Sequence, residues 1–291
     1  MVKNFLKNSS AILMLRQTNI LSAAFVIMVT VALSAFLGLV RDRLLAGGFG
    51  ASRTLDIYLA AFRLPDIIFQ LLVMGALSAA FIPVFTEYIN KDDEKTAWHI
   101  ASSVINIGLV IFCILSLLVI LFAPTLAFII APGFKKDELQ ILANLTRIMM
   151  FFQVFFIIGN FFTGILHSYQ RFLIPAIAPI FYNTGIIIGI IFLTPSMGIY
   201  GPTWGVAIGT VLFFLIRLPF INKIGIKYSL VFDLRHKGVR EIGKLMIPRV
   251  INLGISQIDI SIDLILSSLM LGGQYTIFNF AASLYMLQIV L

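Results

Sequence analysis

Long uninterrupted apolar runs dominate this 291-residue chain. Several are long enough to cross a bilayer core, which takes about 20 residues of helix. A soluble fold would break such runs with charged faces at helical period. Hydrophobic residues make up 60% of the chain and charged residues only 12%, and mean hydropathy is +1.03. That leaves too little polar surface to cover a soluble domain. The expected fold class is all-α, a polytopic helical membrane protein. Eight spans are expected, at 20–40, 57–84, 98–123, 139–165, 174–193, 203–221, 245–271 and 275–291. The first is too long for a signal-peptide core and reads as a retained span. Residues 124–134, with Pro124, Pro132 and Gly133, read as an interfacial turn.

The formal net charge of +8 does not point to nucleic acid, because most of the charges lie in short connections between apolar runs. There, lysine and arginine set topology. With the N-terminus cytoplasmic, the inner set holds Lys3, Lys7, Arg16, Lys91, Lys95 and Arg171. It also holds the eight lysines and arginines from Arg217 to Arg249. The outer set holds Arg41, Arg43, Arg53, Lys135 and Lys136. This asymmetry favours a cytoplasmic N-terminus. The organisation expected is a bundle over 1–221, a basic cytoplasmic link at 222–244, and two further spans over 245–291. The link either rests on anionic head groups or simply sets topology. The chain stops at Leu291 inside an apolar run, which reads as a truncated chain. The single cysteine, Cys113, excludes a disulfide framework and reads as a packing residue.

Ionisable groups at bilayer depth are costly, so each is a candidate for function. Arg41-Asp42-Arg43 closes the first span and Asp56 opens the second; these groups either pair with one another or act on a ligand. Arg63 and Asp66 flank Pro65, which kinks the second span, and a kinked helix carrying both charges suggests a cavity wall. Arg147 reads as an interfacial anchor. Asp259 and Asp263 are four residues apart and share a helix face. Two carboxylates so placed repel unless a proton or cation lies between them, so the pair suggests a hard-cation site or proton relay, with Asp263 as the coupling-ion candidate. His99, His167 and His236 lack metal-ligand spacing and a nucleophile partner. Gly47-Gly48-Phe49-Gly50 lacks the lysine of a phosphate loop and reads as a tight turn. No constellation for catalysis is present, so neither an enzyme nor an organic cofactor is expected.

A series of short signatures completes the reading. They include Leu37-Gly38 with Arg41-Asp42, Phe49-Gly50-Ala51-Ser52, Leu55-Asp56, Arg63-Leu64-Pro65 and the stretch from Gly75 to Phe85. Ala131-Pro132-Gly133-Phe134, Leu145-Thr146-Arg147-Ile148 and Gly164-Ile165-Leu166-His167-Ser168-Tyr169 follow. Pro175-Ala176-Ile177-Ala178-Pro179 with Asn183, Trp204-Gly205-Val206, His236-Lys237-Gly238-Val239-Arg240 and Ser256-Gln257-Ile258 close the series. In order and spacing this series resembles the MurJ/MviN family of lipid II flippases, within the multidrug/oligosaccharidyl-lipid/polysaccharide exporter superfamily.

The resemblance implies a six-helix N-lobe plus the first two helices of a C-lobe, in an alternating-access transporter of the bacterial inner membrane. It implies an undecaprenyl-diphosphate-linked sugar as substrate, with membrane lipid and no nucleic acid as surroundings. Arg41 and Asp42 match the family's arginine–aspartate pair in the cavity, Asp56 its acidic partner, and Asp263 a sodium-liganding carboxylate of some members. Arg63 is a further candidate for the diphosphate. Three family arginines are replaced, by Ala35, Phe69 and Ser283. Those departures keep two other readings open: export of another lipid-linked oligosaccharide or amphiphile, and a non-transporting membrane scaffold.

Overall fold

The computed structural model describes residues 20–75, 80–91 and 93–290, and those residues contain no strand. Lys3, Lys7, Arg16, Leu291 and residues 76–79 of the Gly75–Phe85 signature lie outside the described residues. The elements in chain order are α1 Ile20–Phe49, α2 Arg53–Ala61, α3 Arg63–Phe69, α4 Ile82–Asn90, α5 Glu94–Leu121 and α6 Ala123–Ile130. They continue as α7 Lys136–Ser168, α8 Leu173–Ile188, α9 Thr194–Met197, α10 Tyr200–Leu215, α11 Leu218–Ile224, α12 Lys237–Ser268 and α13 Gln274–Val290. Wider π-helical turns, Gln70–Met74 and Gly189–Leu193, extend α3 and α8.

Six helical runs among the described residues are long and apolar enough to cross a membrane, and they match the second to seventh expected spans. The first and eighth expected spans fall in α1 and α13, of 30 and 17 residues. The chain is a multi-pass helical membrane protein.

Several local expectations are corrected. Residues 123–130 form a helix, because Pro124 sits in its first turn, where a missing N–H removes no bond. Gly47 and Gly48 belong to α1, and the turn begins at Gly50, whose φ is +64°. Cys113 is exposed on α5 rather than packed inside. The stretch from Lys237 to Lys244 is the start of α12, capped by His236, whose ring accepts from the Gly238 amide.

Pro65 shapes the second span as its chemistry requires. It offers no N–H to the carbonyl of Ala61 four residues back, and the helix breaks at Phe62. Thr146 on α7 donates its hydroxyl to that carbonyl at 3.5 Å. Behind this kink, α8 and α10 approach at backbone distance. A Cβ on Gly189 would lie 2.4 Å from the Gly205 Cα, so only glycine fits there.

Two cations act on helix ends, where exposed carbonyls attract positive charge. Arg147 donates from Nε to the Ile120 carbonyl at the end of α5, at 3.1 Å. Arg53 donates to the Ser268 and Met270 carbonyls at the end of α12, at 3.1 and 2.7 Å.

The segment between α11 and α12 is docked, not loose. Asn106 on α5 donates to the Ser229 and Val231 carbonyls at 3.1 and 2.9 Å, and accepts from the Tyr228 hydroxyl at 2.6 Å. His99 lies 3.0 Å from Asp233. That hydrogen bond, helped by the amides of Arg235 and His236, holds the Asp233 carboxyl below its ordinary pKa.

Candidate functional site

The kink at Pro65 turns Arg63 and Asp66 toward a cavity of about 460 Å³ bounded by α1, α2, α3, α7, α8, α10, α12 and α13. Arg41 and Asp42 reach the same cavity from α1. Four charged side chains therefore share one wall system inside an otherwise apolar bundle, two of each sign.

Each arginine is oriented by partners on another element. Arg41 donates from Nε to Asp42 at 2.9 Å and from Nη1 to Asn183 on α8 at 3.1 Å. Asn183 in turn donates to the Ser34 carbonyl and hydroxyl at 3.2 and 3.3 Å, which fixes its amide. Arg63 donates to the Ser261 hydroxyl at 3.0 Å from both Nε and Nη2, and from Nη2 to the Gln257 carbonyl. It is buried, and it ties α3 to α12 across the cavity. Guanidinium groups suit such a place, because the planar fork can hold a protein partner and still offer donors to an anion.

Of the residues singled out from sequence, Arg41, Asp42 and Arg63 come together here, and Asp66 joins them. Asp56 is elsewhere. It is fully buried and accepts from the Gly273 amide at 2.7 Å, the Thr276 amide at 2.8 Å and the Thr276 hydroxyl at 2.7 Å. Its carboxylate thus caps the N-terminus of α13, one turn along α2 from the arginine that caps α12. Asp259 is exposed and Asp263 half-buried, and neither lines the cavity. No cluster of three or more His, Cys, Asp or Glu suited to a metal exists among the described residues.

Of the three positions that the resemblance marks as replaced arginines, two fall on the cavity. Phe69 and Ser283 line this cavity, and Ala35 lines a neighbouring groove. Tyr58, Gln153, Tyr182 and Gln257 also face the cavity, and single-residue reasoning did not select them. Gln153 had a legible signal, a polar side chain in mid-run of an apolar span. Gln257 and Asn183 lie inside the family signatures.

Arg217 is the largest surprise. Counted from sequence with the topology-setting charges at the inner end of the sixth span, it is 1% exposed and sits at the junction of α10 and α11. Its side chain folds back one turn, so the charge lies deeper than its place in the chain suggests. Nη1 donates to the Phe213 carbonyl at 2.6 Å, and the guanidinium lies 3.6 Å from the centre of the Phe213 ring.

A family model described as "Lipid II flippase MurJ" matches residues 45–291. "Lipid II flippase MurJ" of Burkholderia cenocepacia is 30% identical over 257 residues, covering 86% of this chain and 50% of that protein. "Probable lipid II flippase MurJ" of Buchnera aphidicola subsp. Acyrthosiphon pisum is 32% identical over 261 residues, covering 88% and 51%. The chain spans about half the length of the curated relatives it matches. Among solved structures, a MOP superfamily transporter from Pyrococcus furiosus superposes with a TM-score of 0.68 at 17% identity, covering 91% of this chain and 59% of that one. An inward-facing multidrug resistance MATE family transporter superposes with a TM-score of 0.66 at 18% identity, covering 88% and 59%. At these identities the likeness is one of fold.

Proposed function

The chain belongs to the lipid II flippase MurJ family, and from that premise we propose that it supplies the N-lobe of a lipid II flippase. In this reading lipid II crosses the bacterial inner membrane by alternating access, with the N-terminus cytoplasmic, and no bond is made or broken. The observation that carries the reading is the pairing of Arg41 and Arg63 on one cavity inside an apolar bundle. A diphosphate dragged bare through hydrocarbon faces a prohibitive desolvation barrier. Oriented guanidinium groups replace its lost water hydrogen bonds. Asp42, which pairs with Arg41 at 2.9 Å, offsets part of the positive charge in the empty cavity.

Binding tests this reading. Arg63→Gln in the intact purified protein is expected to weaken lipid II binding tenfold or more, since a hydrogen bond to a charged group is worth about 1.5–3 kcal/mol. Binding of a lipid-linked sugar lacking phosphate serves as the control. Equal loss for both lipids would assign Arg63 to holding α3 against α12, and would remove it from the phosphate site.

Phe69 and Ser283 on the cavity wall favour a second reading, export of another lipid-linked oligosaccharide with a smaller anionic head. Preferential binding of such a lipid over lipid II would select it.

For coupling, we propose that Asp263, with Asp259 one turn earlier on α12, engages Na+ or H+. Asp263→Asn is expected to weaken sodium binding by the intact protein; unchanged affinity would refute the assignment.

A further inference from the structure

The buried charge of Arg217 has no part in the arrangement above, and its surroundings are unusual for a cation. Among the described residues no carboxylate pairs with it. Its Nε is buried without a hydrogen-bond partner. Asn160, Thr163 and His167 line the same groove. Asn160 and Thr163 direct their donors to backbone carbonyls of their own helix, at 2.8 and 3.2 Å.

Arg217 lines a groove of about 670 Å³ between α1, α7, α8 and α10. The groove follows α1 from Ile27 to Arg41, a rise of about 21 Å at 1.5 Å per residue. Its lining is predominantly apolar, with Ile27, Val31, Pro175, Ala176 and Pro179 along the α1 and α8 walls. Phe156, Tyr182 and Phe213 stand between Arg217 and the first cavity, with ring centres 4.4 to 6.5 Å apart.

A buried, unpaired guanidinium with an unused donor calls for an anion, and an apolar trough beside it calls for a chain. We propose that Arg217 and this groove form a second binding site, which takes an anionic amphiphile with its phosphate on Arg217 and its apolar chain along α1 and α8. The groove shares Arg41, Phe156 and Tyr182 with the first cavity, but its phosphate seat, Arg217, does not line that cavity, and the proposal does not depend on lipid II being the cargo.

The test titrates the intact purified protein, in a neutral maltoside detergent, with dodecyl phosphate, read by native mass spectrometry. In the Arg63→Gln background, which weakens the first cavity without touching the groove, saturable binding is expected, and adding Arg217→Gln is expected to weaken it at least tenfold. Ala176→Phe, which fills the trough and leaves the arginine in place, is expected to weaken dodecyl phosphate to a similar degree. Inorganic phosphate alone is expected not to bind at the same concentrations.

Undiminished binding on adding Arg217→Gln to that background would overturn the proposal. Inorganic phosphate binding as tightly as dodecyl phosphate would overturn the amphiphile assignment, since the trough would then contribute nothing. Should Arg217→Gln fail to fold, Ala176→Phe decides: undiminished binding there refutes the site.

Discussion

Arg41→Ala is expected to abolish rescue of a flippase-depleted bacterium by the intact protein, with membrane levels unchanged. Among the described residues, Arg41 and Arg217 are the charged side chains on the apolar groove, and of these two Arg41 also lines the cavity. Its Nε and Nη1 are held by Asp42 and Asn183, which aims the guanidinium without burying all of its donors. Loss of two charge-assisted bonds to a diphosphate, at about 1.5–3 kcal/mol each, amounts to a hundredfold or greater loss of binding. Arg41→Lys keeps the charge but not the fork and is expected to rescue weakly. Asn183→Ala removes only an orienting contact and is expected to retain most activity. Full rescue by Arg41→Ala would take this residue out of the mechanism.

The second large effect is structural. Asp56→Ala is expected to lower the melting temperature of the purified protein and to loosen α13. The substitution removes three hydrogen bonds from a fully buried carboxylate and leaves the α13 N-terminus uncapped. Caps are worth about 1 kcal/mol and bonds to charged groups about 1.5–3 kcal/mol, so a net loss of about 3 kcal/mol is expected. For a chain of this size that is a drop of about 6–12 °C.

The junction has no room to compensate. Gly273 adopts φ +93°, and a Cβ there would meet the Ala51 carbonyl oxygen at 2.3 Å. Asp56→Asn, which keeps one acceptor oxygen, is expected to lose less. A melting temperature within 2 °C of wild type, on the roughly 6–12 °C scale above, would show that the cap contributes little.

These two residues mark how far sequence reasoning reaches. The spans are legible because a bilayer permits so few ways to bury a backbone, and the apolar runs declare them. Arg63 and Asp66 are legible as cavity residues because Pro65 bends the helix between them, and two intramembrane charges need a polar space to face. Phe69 and Ser283 are placed on the cavity by motif register alone, and both line it.

Asp56 is misplaced by sequence because its partners lie 217 and 220 residues away. Nothing local distinguishes a cap for a distant helix from a ligand for a phosphate. Arg217 is counted from sequence among the inner-side charges, although the expected span 203–221 includes it. Its depth is set by a side chain folding back onto Phe213, which only packing reveals. Hydropathy starts α12 too late, because helical residues that carry Lys237, Arg240 and Lys244 look like loop on that scale.

The most direct test of the central claim is translocation of fluorescent lipid II by the intact protein in sealed vesicles, wild type beside Arg41→Ala. The cavity account predicts transfer of the head group across the membrane by wild type, and transfer at the protein-free rate by Arg41→Ala. Equal transfer by the two proteins would contradict the assignment of the arginine-lined cavity as the path of the diphosphate.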